Sequence, residues 1–197
     1  MKRFMIAAAA FLAVSAARDA AAQIFLSPFV GTTLTSPSTR GNTSKPGFGL
    51  AFGSLGNIVG AETEIAYFPQ VLDNSANALA KNRVFTFSAD TLIGPTIGRV
   101  KPYFAVGAGD LHLNVTSLSS VVIPNPASFS SDYFMFNLGG GVFGFFTGHL
   151  GLRADLRYFR AYGFKIADLQ SGAGNSAGIT LDRFDFWRAS IGLAAKF

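Results

Sequence analysis

Two histidines and no cysteine set narrow limits on the chemistry this chain can do. His112 alternates with Asp110 and Asn114, so on a strand the three share one face. Such a set resembles an imidazole base with an orienting carboxylate. Acyl transfer or hydrolysis would also need an oxygen nucleophile within reach. Ser117, Ser119 and Ser120 follow closely, but in a stretch with no strand pattern. His149 falls at a tight turn, where a solvated interfacial residue is the simpler reading. With no thiolates and two distant histidines, a transition-metal ligand set is lacking, and no cofactor is expected. Gly139, Gly140 and Gly141 superficially suggest a phosphate loop, but no Lys-Ser/Thr follows and the run lies in an apolar segment. Close packing of a sheet is the better account.

A second set is charged. Glu62, Glu64, Asp90 and Asp155 stand against Arg153, Arg157, Arg188 and Lys196, each on the polar or small face of a segment with period two. Four acids meet four bases. If those faces turn inward, the charges must neutralise one another, because an isolated buried ion is too costly to keep. The set then acts as a plug that holds the fold together; the alternative is a narrow or gated conduit lined by the same groups.

The elements that position these residues are strands. The end of the chain shows the pattern most plainly: Trp187, Ala189, Ile191, Leu193, Ala195 and Phe197 alternate with Arg188, Ser190, Gly192, Ala194 and Lys196. In residues 149–160, Leu150, Leu152, Ala154, Leu156 and Tyr158 oppose Gly151, Arg153, Asp155 and Arg157. Eight such segments can be read, at about 23–33, 46–53, 58–68, 83–93, 101–115, 132–146, 149–160 and 183–197. Their connectors are alternately long (34–45, 69–82, 116–131, 161–182) and short (54–57, 94–100, 147–148). Long loops on one rim and tight turns on the other are what a barrel in an outer membrane shows. The expected fold is all-β: an eight-stranded, antiparallel, up-and-down transmembrane β-barrel. A lone sheet would leave backbone groups unpaired in hydrocarbon, so it must close.

Composition agrees. Hydrophobic residues make up 49% and charged residues 14%, yet beyond the N-terminus no apolar run is long enough for a spanning helix. Residues 1–22 read as a cleaved secretory signal, with Lys2 and Arg3, an apolar stretch from Phe4 to Val14, and Ala20, Ala21 and Ala22 before the cut, Ser15, Ala16 and Ala17 offering a second site. The barrel then occupies 23–197. Lys2, Arg3, Arg18 and Asp19 belong to the leader, so 13 basic and 10 acidic residues remain of the 16 and 11. That excess is small and scattered, which gives no footprint for nucleic acid.

Three local features depart from the simple pattern. Segment one is apolar on both faces and contains Pro28, which is unusual inside a strand. Segment five puts Asp110 and His112 on the lipid side, so either a bulge near Gly107–Gly109 shifts the register or both lie above the apolar band. Tyr67, Phe68, Tyr103, Phe104, Tyr158, Phe159, Phe184, Phe186, Trp187 and Phe197 cluster near strand ends and are expected in interfacial girdles.

The chain resembles the small eight-stranded outer-membrane barrels of the OmpA/OmpX type. The features that carry the likeness are the leader ending in Ala20, Ala21 and Ala22, the run from Gly98 through Arg99, Val100, Lys101, Pro102, Tyr103 and Phe104 to Gly109, and the terminal strand from Trp187 to Phe197. The resemblance implies residence in the bacterial outer membrane among outer-membrane lipid and lipopolysaccharide. It also implies that Ile191, Leu193, Ala195 and Phe197 form the sorting signal read by the barrel-assembly machinery. A monomer is expected. The periplasmic peptidoglycan-binding domain of full-length OmpA is not seen, and His112-Leu113-Asn114 departs from the His-x-Ser of the lipid A deacylase barrels. The reading is thus a non-enzymatic barrel, structural or surface-interacting through loops whose partner is not named by their composition. The alternatives are a small-solute channel, a lipid A-modifying enzyme, or a soluble barrel of lipocalin style with its charges outside.

Overall fold

The computed structural model describes residues 23–34, 44–69, 81–116, 128–162 and 184–197. The proposed leader and most of each long loop, including Ser117, Ser119 and Ser120, lie outside the described residues. Eight strands follow in order: β1 (Gln23–Leu34), β2 (Lys45–Leu55), β3 (Val59–Pro69), β4 (Lys81–Ile93), β5 (Val100–Thr116), β6 (Ser128–Phe145), β7 (Leu150–Tyr162) and β8 (Phe184–Lys196). Each pairs antiparallel with its neighbours, and β1 pairs with β8 to close the barrel. The alternating pattern places most strand ends within two residues. β6 begins four residues earlier than expected, at Ser128 rather than 132, because Ser128, Phe129, Ser130 and Ser131 pair with the end of β5.

The stagger follows from the pairing. From Ile24 the register runs through Ser54, Ala61, Thr91, Val106, Leu138, Tyr158 and Trp187 and returns to β1 at Leu34, ten residues on. A closed sheet with such a shift must tilt its strands by about 40°. About ten residues of each then cross a hydrocarbon band of about 25 Å.

Alternation decides which side of the wall each residue meets. On β7, Leu150, Leu152 and Leu156 are exposed, while Gly151, Arg153, Asp155 and Arg157 are buried. The same rule corrects the expected aromatic girdles. Phe68, Tyr103, Phe159 and Phe186 all point into the barrel and are at most 6% exposed. Each is the sequence neighbour of an outward ring (Tyr67, Phe104, Tyr158, Trp187), and adjacent strand residues cannot share a face. The lumen is therefore filled in layers. Phe25, Leu55, Phe143 and Phe145 pack near the short turns; Phe68, Val84, Leu111, Met135, Phe159 and Phe186 pack toward the long loops. Ring contacts lock both, with Phe25–Phe143 at 5.2 Å and Phe159–Phe186 at 5.0 Å between centroids.

β5 carries no bulge. Its register with β4 and β6 is unbroken from Phe104 to Thr116. Asp110 and His112 do face outward, at the long-loop end of the strand and above the apolar outer positions Phe104 and Val106.

Pro28 interrupts the seam between the first and last strands. Phe25 and Leu26 pair with Lys196 and Ala195, and Phe29 and Val30 with Gly192 and Ile191, but Ser27 and Pro28 have no partner on β8. Phe197 N donates to Ile24 O at 2.8 Å, so the even-numbered residues of β1 are those that hydrogen-bond to β8. Pro28 has no N–H to give, and the Leu193 carbonyl opposite it loses its donor. The Ser27 hydroxyl beside it is buried without a partner among the described residues.

Candidate functional site

Seven of the eight charged residues read from the sequence meet between the two aromatic layers. Arg157 and Arg188 are 0% exposed, as is Glu62, and Glu64, Arg153, Asp90 and Asp155 reach at most 6%. Alternation on β3, β4, β7 and β8 turns all of them inward, and the tilt brings their strand positions to similar heights in the barrel.

Arg157 is the hub. Its Nη2 donates to Glu62 Oε1 at 2.6 Å, its Nη1 to Asp90 Oδ2 at 2.7 Å, and its Nε to Asp155 Oδ1 at 2.9 Å. Glu64 Oε2 lies 3.8 Å from Nη1. One guanidinium thus faces four carboxylates. Arg153 forms a two-pronged pair with Glu62, at 2.6 Å and 3.0 Å, the planar fork that carboxylate recognition favours. Arg188 makes the same kind of pair with Glu64: Nη2 donates to Oε2 at 2.8 Å and Nη1 to Oε1.

Neutral groups complete the network. The Tyr103 hydroxyl accepts from Arg153 Nε at 2.8 Å and donates to Asp155 Oδ2 at 2.6 Å. Asn137 Nδ2 donates to Asp90 Oδ1 at 2.6 Å, and Ser88 Oγ to Asp90 Oδ2 at 2.9 Å. Two glycines make the room. A Cβ on Gly107 would collide with the Asp90 carboxylate, and one on Gly141 with the Tyr103 hydroxyl. Within the Gly139–Gly141 run, Gly139 and Gly141 therefore serve close approach inside the barrel, where a Cβ on Gly139 would meet the Arg157 side chain. Faces of aromatic rings cover the guanidinium carbons: Arg153 lies 5.1 Å from the Phe143 centroid and Arg188 lies 4.8 Å from that of Phe159.

Lys196 does not join. It lies half-buried near the short-turn end, with its ammonium 4.2 Å from the Phe145 ring. Eight residues separate it from Arg188 on the same strand, too far along the barrel for one cluster. The expected four-on-four balance thus becomes three guanidiniums on four carboxylates.

Sequence reasoning passed over Lys101, Tyr103, Ser88 and Asn137 as site residues. Lys101 is 2% exposed, and its ammonium is caged by oxygens of two turns: Gly56 O at 2.7 Å, Gly94 O at 3.0 Å, Asn57 O at 3.1 Å and Thr96 Oγ1 at 3.2 Å. The available signal was position: Lys101 and Tyr103 share the inward face of β5. Outside the barrel, His112 Nδ1 lies 2.6 Å from Asp132 Oδ1, across the β5–β6 ladder. The carboxylate that orients this imidazole is Asp132, not Asp110. His149 is exposed in the β6–β7 turn. Ile191, Leu193 and Phe197 face outward, at 57%, 60% and 75% exposure, with Ala195 on the same side.

The sequence profile of the outer membrane protein beta-barrel domain matches residues 6–197. None of the curated proteins matches the chain. Solved structures share its fold at low identity. Neisserial surface protein A is 14% identical with a TM-score of 0.61, over 89% of this chain and 97% of its own. OprG of Pseudomonas aeruginosa is 16% identical with a TM-score of 0.57, over 89% and 95%. The attachment invasion locus protein Ail of Yersinia pestis is 13% identical with a TM-score of 0.52, over 89% and 97%.

Proposed function

The chain belongs to the outer membrane protein beta-barrel domain family and resides in the bacterial outer membrane, and from that premise we propose that it acts as a sealed, non-enzymatic barrel whose long loops meet partners at the cell surface. The observation that carries this is the Arg157 hub. A guanidinium facing four carboxylates, with aromatic layers above and below, fills the middle of the lumen with paired ions among the described residues. A rigid wall that presents long loops on one rim is a scaffold for recognition. Refolded protein in a planar bilayer is expected to give no reproducible conductance steps, and such steps would overturn the sealed reading.

Residues 1–22 are the leader, the mature protein is a monomer, and lipopolysaccharide surrounds the outer half of its apolar face. Ile191, Leu193, Ala195 and Phe197 form the outward edge that the barrel-assembly machinery reads. Deleting Phe197 should lower outer-membrane yield in cells while leaving refolding in detergent intact; undiminished insertion would refute that role. A second reading rests on the His112–Asp132 pair, which supplies a general base at headgroup height for a lipid-modifying reaction. Altered lipid A on overexpression, abolished in His112→Ala, would establish it over the first.

A further inference from the structure

The short-turn rim is built differently from an ordinary solvated turn. Each of its three turns holds up an exposed apolar side chain: Ile58 at 61%, Ile97 at 64% and Phe146 at 55%. Val59, Val100, Leu150 and Ile24 continue this surface onto the barrel wall, at 46% to 54%. No acidic side chain occurs in the turns at 56–58, 94–99 and 146–149, whereas Arg99 and His149 are exposed there. On the opposite rim the outward residues include Asp110, His112, Asp132, Arg83 and Arg160, a mixed and water-loving set.

The backbone of these turns is also closed on itself. Gly94 N donates to Ile58 O at 2.8 Å and Thr96 N to Asn57 O at 3.2 Å, tying the β4–β5 turn to the β2–β3 turn. Phe145 N donates to Arg99 O at 2.8 Å, tying it to the β6–β7 hairpin. Ile97 and Val100 exchange a pair of bonds at 2.8 Å and 3.0 Å, and Thr147 Oγ1 caps Leu150 N at 2.8 Å. The Lys101 cage takes up the carbonyls of Gly56, Asn57 and Gly94. These backbone groups are thus met within the protein, which a seat at the edge of hydrocarbon requires.

We propose that this rim is seated in the lipid leaflet on its side, with Ile58, Ile97 and Phe146 inserted below the headgroups and Arg99 at their phosphates. Apolar tips enter the acyl boundary while a guanidinium on a flexible stem reaches back to the anionic layer. The partner is an anionic phospholipid surface. That this is the periplasmic leaflet rests on the orientation proposed above, with the long loops outside.

The full barrel, with Trp187→Phe to silence its own indole, would carry Ile97→Trp or, separately, Ile58→Trp. It would be refolded into vesicles of phosphatidylcholine and phosphatidylglycerol. Both positions are exposed, so the ring intrudes on no core, and two sites guard against one misfolding. Lipids brominated high on the chain should quench either reporter at least about twofold more than acrylamide in the water phase does. With the bromine on phosphatidylglycerol, quenching at position 97 should exceed that with brominated phosphatidylcholine, and Arg99→Gln should remove the difference. Strong acrylamide quenching with little from bromolipid would overturn the seating; equal quenching by the two lipids would overturn the anionic contact. Vesicles of symmetric composition make these results independent of orientation. An inverted barrel would show instead as labelling of a Thr147→Cys variant on intact cells.

Discussion

Every strand of this barrel obeys two different rules on its two sides. The outward side asks only for apolarity: Leu152, Leu156, Ile191, Leu193, Phe104 and Val106 meet acyl chains and nothing shaped to them. The inward side asks for particular atoms in particular places, since Arg157 has three hydrogen-bonded carboxylates, and Gly107 and Gly141 are shaped around their neighbours. Lipid is a fluid that refits itself to any apolar wall; the lumen has no such freedom. Substitutions inside should therefore be costly even when conservative, and those outside cheap unless they introduce charge.

The largest effect is expected at the hub. Arg157→Met leaves Glu62, Asp90 and Asp155 without their shared cation and should lower unfolding stability in detergent micelles by about 3–5 kcal/mol. A urea midpoint close to that of the parent would erase the distinction between the two sides. Next comes a charge placed in hydrocarbon. Leu156→Arg, on the outward face of β7, should cost about 2–4 kcal/mol in a bilayer if it lies near the midplane. The penalty should shrink when the same variant is unfolded from short-chain micelles, whose water reaches the wall. Lys101→Met removes four acceptor contacts and should cost about 1–3 kcal/mol. Amide exchange should then quicken at Gly94 and Thr96 and remain slow in the long-loop half. Smallest of all, Leu156→Ile should stay within about 0.5 kcal/mol, as neutral surface changes do. A larger loss would mean that the lipid face is more exacting than an apolar rule allows.

Much of the architecture was legible because alternation is a local signal. The clean pattern on β7 and β8 located both strands and sorted their residues by face. It failed where the needed fact was non-local. Asp132 stood at the predicted start of β6, but its pairing with His112 depends on a register set across residues whose loop carries no pattern. Lys196 faces inward as the ions do, but an inward face alone does not bring residues together: eight residues along β8 from Arg188, it lies at another height in the barrel. The aromatic pairs are legible too, but the face each ring takes is set by alternation and not by nearness to a strand end. Lys101 was hidden by its company, as one residue of a turn-and-strand run whose oxygen cage forms only when two turns meet.

Pro28 gives the closed wall a direction of weakness. It lies halfway along β1, and β1 is joined to β8 only through space, with the rest of the chain between them. Pulled from either end, the cylinder has a perforation already cut: the tear should start beside Leu193, where one rung is missing and the oil around it supplies no substitute donor.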